Sequence, residues 1–221
     1  MVKRWIIWLS LGFLALTTLA SISMIWLGHP NEIHLNGATN PTPPDRHHIL
    51  GTDDLGRDIG LRLLDGARIS LGVGLIAMSI SIVIGAAVGL FSGFLGGKID
   101  EIVMRLVDFL MGLPTLFIIL IIQVILGPSL FNAVIVIGAT SWMGVARLVR
   151  AELLSIRERP FILAAKARGI PSWRIALFHA LPNVYNSIIV AGILTMGGAI
   201  LTESVLSFLG LGVQPPQASW G

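Results

Sequence analysis

The chain has 221 residues, of which 54% are hydrophobic and 12% charged, and it carries a formal net charge of +3. A mean hydropathy of +0.85 excludes an ordinary soluble domain. The absence of cysteine excludes a disulfide framework and thiolate chemistry.

Lys3-Arg4 precede an apolar run, Trp5–Leu27, that is free of Asp, Glu, Lys and Arg. It exceeds the ~7–15 residues of a cleaved signal and is long enough to cross a bilayer, so it reads as an uncleaved first span. Residues 28–68 form an outer loop. Its His47, His48, Asp53, Asp54 and Asp58 fit no fixed metal-ligand spacing. From Asp58 to Ser70, Ile59, Leu63, Leu64 and Ala67 recur at helical spacing among charged residues, which predicts an amphipathic helix lying on the outer face. Further charge-free runs, Ile69–Gly97 and Phe109–Ala146, predict spans near residues 69–93, 106–127 and 130–148, with a break at Gly127-Pro128. A last span is expected near 184–212. The fold class is therefore an all-α polytopic transmembrane bundle with five spans; a β-barrel would show short alternating strands.

Charge sets the orientation. With the N-terminus inside, Lys3, Arg4, Lys98, Arg105, Arg147, Arg150, Arg157, Arg159, Lys166, Arg168 and Arg174 lie on the cytoplasmic side, and Arg46, Arg57, Arg62 and Arg68 outside. That asymmetry obeys the positive-inside rule, so the basic balance is topological and no nucleic-acid partner is implied.

Within the spans, Ser81, Gly85, Gly89, Gly93 and Gly97 form a small-residue stripe suited to close helix packing, either inside this subunit or against a second one. Asp108 follows Arg105 by three residues near the cytoplasmic end, so an ion pair between them or a position at the membrane interface accounts for it. Glu203 sits deeper, where a carboxylate either lines a pathway or holds two helices together. Pro114 predicts a kink in the third span. Pro114, Gln123, Met196 and Glu203 are the candidate pathway or gating residues. Gly96-Gly97-Lys98 is no phosphate loop, because Ser92 and Ile99 stand where that loop needs glycine and a hydroxyl residue. No catalytic set is recognisable. A stand-alone secondary transporter would want an inverted repeat and mid-membrane ion-coupling charges, and only Glu203 answers to that.

Residues 151–183 form a basic hairpin between two spans. A helix from Ala151 is expected to end near Arg159, before Pro160. A second runs from Pro160 to Arg168 and stops at Gly169, and a third runs from Trp173 to Leu181 and is closed by Pro182. On spacing alone, Phe161, Ala164, Ala165 and Arg168 share one face of the middle helix, suited to a partner's groove, with Lys166 and Arg168 drawn to an acidic rim. A solvated basic loop is the plainer reading.

The series Ala164-Ala165-x3-Gly169-x9-His179-x-Leu181-Pro182 resembles the EAA motif of binding-protein-dependent ABC importer permeases, in the form found in the dipeptide, oligopeptide and nickel branch. Gly51-Thr-Asp-Asp-Leu-Gly-Arg-Asp58, Gly66-Ala-Arg-Ile-Ser-Leu71, Gly96-Gly-x-x-Asp100, Arg105-x-x-Asp108, Trp142-x4-Arg147-x-x-Arg150, Leu206-Ser-Phe-Leu-Gly-Leu-Gly212 and Ser219-Trp-Gly221 are similar to the same branch. Leu163 stands where that family has Glu, and the family continues past Ser-Trp-Gly into a sixth span not present here.

The resemblance implies a type I importer permease in a bacterial or archaeal cytoplasmic membrane, multi-pass, with the N-terminus inside. It implies a path for short peptides, with nickel or another small solute as the alternative cargo. Phe161, Ala164, Ala165, Lys166, Arg168, Gly169, His179, Leu181 and Pro182 would form the ATPase-coupling segment. The implied partners are a second permease, two ATP-hydrolysing subunits, an extracytoplasmic substrate-binding protein and membrane lipid. ATP and magnesium would be held by the ATPase subunits and no cofactor by this chain.

Overall fold

The computed structural model describes residues 41–220 and, of the first 40, residues 5, 8, 9, 12, 15–19 and 23. The expected first span at 5–27 falls largely outside the described residues. Seven α-helices follow in order: α1 (Ile59–Leu95), α2 (Gly97–Met111), α3 (Thr115–Leu126), α4 (Leu130–Ile156), α5 (Pro160–Ala167), α6 (Ser172–Ile175) and α7 (Leu181–Phe208). A π turn, Ala176–Ala180, joins α6 to α7, so Ser172–Phe208 is one continuous helical segment.

Among the described residues, α1, α4 and Ser172–Phe208 are each long and apolar enough to cross a membrane, and α2 with α3 makes a fourth, bent crossing. α1, α4 and α7 pack side by side as the centre of the molecule. The faces of α1 are sorted the opposite way from a soluble bundle. The buried side of α1 carries Asp65, Gly66, Ala67, Ser70, Gly74, Ala77, Ser81, Gly85, Gly89 and Gly93, while Leu75, Ile76, Val83 and Phe91 face outward. Between helices in lipid there is no water to expel, so the small residues of α1 contribute by letting its backbone approach the Val, Ile and Leu side chains of its neighbours closely.

That sorting corrects the expected outer-face helix at 58–70. The segment is the start of α1, and its buried side is Asp65, Gly66, Ala67 and Ser70, while Ile59 and Leu63 are exposed. With 37 residues, α1 is about 55 Å long at the ~1.5 Å helical rise, so it outreaches a ~30 Å hydrocarbon layer.

Four further boundaries differ from the sequence reading. The expected third span at 106–127 is broken, since α2 and α3 meet at 80°. Pro114 is the N-cap of α3 and not a kink within one helix; it brings no N–H and keeps Leu113 from continuing α2. The expected separate helix from Ala151 is the last part of α4, because nothing between Arg147 and Ile156 interrupts it. Finally, Pro182 closes no helix. In the π turn the Leu181 N–H reaches back to the Ala176 carbonyl, and Pro182 sits in the first turn of α7, where its missing donor is tolerated. The last span ends at Phe208, earlier than expected, where Gly210 with φ +75° turns the chain and the Leu211 N–H bonds the Leu206 carbonyl at 2.8 Å.

Candidate functional site

At the hairpin end of the bundle, Arg159 adopts extended backbone (ψ 146°) ahead of Pro160, which opens α5 at its first position. Gly169 ends that helix with φ +72°, a left-handed conformation that L side chains resist. The helix between them has two unlike faces. Ile162 and Ala165 are buried, and they join Leu153 and Ile156 of α4, Ile175 of α6 and Val184 and Ile188 of α7 in one apolar cluster. Phe161, Leu163, Ala164, Lys166 and Arg168 are exposed. Ala165, only 4% exposed, therefore does not share the outward face of Phe161, Ala164 and Arg168 as its spacing suggested. The reason is that Ile162 and Ala165, three apart, turn together onto the end of α4.

The remaining hairpin residues are placed differently. Leu181 packs against the same cluster, Pro182 is exposed, and His179 lies half-buried in the π turn with its Nδ1 unpartnered. A hydrogen bond of 2.8 Å from Ser187 Oγ to Glu152 Oε1 ties α7 to α4 at this end.

Arginine pairs reinforce the same region. Arg150 grips Asp100 through Nε–Oδ1 and Nη2–Oδ2, both at 2.6 Å, which clamps the start of α2 to α4. Asp108 pairs with Arg147 at 3.3 Å across the two helices, whereas Arg105 turns to Glu101. The expected Arg105–Asp108 pair is thus corrected: one turn of α2 carries Arg105 away from α4 while Asp108 remains beside it.

The small-residue stripe has a definite partner. A Cβ on Gly85 would come within 2.6 Å of Val145 Cβ and 2.7 Å of the Trp142 carbonyl oxygen. One on Gly89 would meet the Ala146 carbonyl oxygen at 2.6 Å, and one on Gly93 would touch Leu153 at 3.3 Å. These three glycines pack α1 against α4 within the chain. Gly97 is not part of the stripe; it starts α2 at φ +60° with open space around it.

Of the candidate pathway residues, Gln123 and Glu203 are fully buried within the chain, Met196 is half-buried against Gly74, and Pro114 stands at the α2–α3 bend. Gln123 Nε2 donates to the Leu211 carbonyl at 2.8 Å and to the Ser129 carbonyl at 3.1 Å, joining α3 to two turns. Glu203 accepts from Ser207 Oγ, whose oxygen in turn accepts from the Val213 N–H at 2.9 Å.

At the opposite end, the 51–58 stretch folds into a knot that starts α1. Asp58 accepts from the Leu61 N–H at 2.9 Å and pairs with His48 at 2.8 Å. Asp53 accepts from the Leu55 and Arg57 N–H groups and from Arg57 Nε. Partial burial pushes the Asp53 carboxyl up, but those donors and the Arg57 charge outweigh it and hold the group below the usual aspartate range. The 219–220 segment lies across the first turns of α1. Trp220 donates its N–H to Ser70 Oγ and its Nε1–H to the Leu63 carbonyl, both at 3.0 Å. The motifs at 51–58, 66–71 and 219–220, far apart in sequence, thus share one assembly. Spacing gives no sign of it, because the contacts are made by backbone groups, the Ser70 hydroxyl and a single indole. Among the described residues no cluster of three metal-ligating side chains occurs.

Three long apolar helices and a fourth, bent crossing, with a charged hairpin seated on two of them, make the chain a multi-pass membrane protein by its architecture. Residues 85–221 match the family described as binding-protein-dependent transport system inner membrane component. The chain belongs to that family, a class of multi-pass membrane permease subunits. It is 45% identical over 81% of its length to the dipeptide transport system permease protein DppC of Bacillus subtilis (strain 168), covering 56% of that protein. To the oligopeptide transport system permease protein OppC of the same organism it is 43% identical over 81% of its length, covering 59%. To the probable D,D-dipeptide transport system permease protein DdpC of Escherichia coli (strain K12) it is 38% identical over 94% of its length, covering 70%. The chain spans less than two thirds of the length of the two Bacillus proteins.

Proposed function

We propose that this chain is a permease subunit of an ATP-driven importer for short peptides, with α5 as its coupling helix. The observation that carries the reading is the two-sidedness of α5: Ile162 and Ala165 are fixed to the bundle while Phe161, Ala164, Lys166 and Arg168 stand free. The peptide assignment is supported by relatives named for dipeptide and oligopeptide transport. The excess of Lys and Arg at the hairpin end supports a cytoplasmic placement for it, with the N-terminus on the same side.

The free face of α5 seats in a groove of a cytoplasmic ATPase subunit, which holds ATP and magnesium. When the ATPases close, α5 is displaced. Its inward face bears on Leu153 and Ile156, so α4 moves with it, and the uninterrupted Ser172–Phe208 segment carries the displacement into the membrane. A second permease completes the path, and an external binding protein delivers the peptide at the Asp58–Trp220 end.

Purification of the chain from detergent-solubilised membranes tests this, with Gly169→Asp as the comparison. Open space surrounds Gly169, so the new carboxylate is accommodated at the modest cost of a left-handed Asp and introduces charge beside α5. The expected result is co-purification of two ATPase subunits and a second permease with the unaltered chain. The variant is expected to retain the permease and lose the ATPases together with ATP-dependent tripeptide uptake. A chain that emerges folded and alone would contradict the reading.

A further inference from the structure

Between α2 and α4 at the hairpin end lies an open cleft of about 540 Å³, whose polar walls are Asp108 and Arg147 and whose soft walls are Met104 and Met111. That volume is within the range of small-ligand sites. The two arginines beside it are used differently. Arg150 is saturated by its two-pronged grip on Asp100. Arg147 holds Asp108 by one contact of 3.3 Å and otherwise points Nη1 at the Met111 thioether, a weak acceptor, at 3.5 Å. Arg147 and Asp108 remain 52% and 55% exposed. Gly144, one turn away on α4, has open space where a side chain would stand, and Ala151 flanks the other side, so the guanidinium is accessible.

Arg147 lies about 26 Å along α4 from its first residue at the ~1.5 Å helical rise, near the inner edge of a ~30 Å hydrocarbon layer. A half-exposed guanidinium–carboxylate pair is costly against lipid tails, which favours an aqueous or protein-lined surrounding for it. We infer that the cleft is an exit-side contact for the peptide itself, with Arg147 binding the free C-terminal carboxylate and Asp108 the ammonium group of a short zwitterionic peptide. The inference rests on the peptide-import reading above and adds where along the path the cargo is touched.

The chemistry favours a zwitterion. An anionic lipid headgroup would satisfy Arg147 but be repelled by Asp108, whereas a peptide with both termini free satisfies each once the 3.3 Å pair opens to admit it. A planar fork suits a carboxylate. The methionine walls adapt to variable side chains, so the cleft reads only what all short peptides share. With both groups half in water the contact is weak, as a station on a transport path must be if cargo is to leave it.

The test uses the assembled transporter in membrane vesicles and Ala151→Cys, the sole cysteine this chain then has. The rate of its modification by a methanethiosulfonate reagent is read with trialanine or trialanine amide at millimolar concentration, and trialanine uptake is measured alongside. Trialanine is expected to slow the labelling about tenfold, which requires about nine-tenths of the clefts to be occupied, and the amide to leave it unchanged, with protection lost in Arg147→Gln. Should Ala151→Cys itself block uptake, Met111→Cys on the opposite wall serves as reporter. Equal protection by both peptides, none by either, or protection that survives Arg147→Gln overturns the inference while uptake leaves the import reading standing. An unaltered transporter that takes up no peptide overturns both.

Discussion

Gly89→Val is expected to remove most of the chain from the membrane fraction. A Cβ at this position would lie 2.6 Å from the Ala146 carbonyl oxygen and 2.8 Å from Val149 Cβ, and a valine adds two methyl groups beyond that. The obstacle is backbone, so no rotamer change in α4 relieves it. α1 and α4 must separate along the contact that Gly85, Gly89 and Gly93 create. Overpacking of a tight core costs about 1–3 kcal/mol and more when backbone must shift, a large share of a membrane bundle's stability. Gly72→Val on the same helix is the control, since nothing lies within 4 Å of its would-be Cβ. Quantified membrane levels and thermal stability in detergent check the pair: the first variant should fall well below the unaltered chain and the second should match it.

Ile162→Asp is expected to detach the hairpin from the bundle. Ile162 is 1% exposed and sits among Leu153, Ile156 and Ile175, with no cation in that cluster to compensate a carboxylate. The lost apolar burial and the buried unpaired charge together cost about 3–5 kcal/mol, more than an eight-residue helix can offset alone. Leu163→Glu, one residue on, places the same kind of charge on a side chain 51% exposed and should leave stability unchanged. Hydrogen exchange reads both variants: rapid exchange confined to 160–176 in the first and native protection in the second. The comparison also bears on the position at which the resembling permeases carry Glu, because a side chain there reaches solvent and not the bundle.

Which parts of this architecture could be read from sequence follows from which signals are local. Pro160 and Gly169 bound α5 by backbone chemistry that needs no neighbour, and both stand where their types require. The stripe on α1 was equally visible, but its partner was not, because small residues announce close approach without naming what approaches. Ala165 was misplaced for a related reason: spacing around a short helix gives faces but not which one points inward, and that was decided by the extension of α4 beneath it. Pro182 misled because a π turn absorbed the break it normally makes. The partners of Asp108 and Asp100 lie on another helix, so no i+3 rule could find them.

The most direct measurement of the central claim is disulfide crosslinking from α5 to a cysteine in the ATPase groove, scanning single cysteines through a chain that otherwise has none. Ala164 is exposed and Ala165 buried against the bundle, although they are adjacent. Ala164→Cys is expected to crosslink to the ATPase subunit, at a yield that changes when ATP is added, while Ala165→Cys stays unlinked. Equal crosslinking from both positions, or from neither in a transporter that still imports, would contradict α5 as the coupling element.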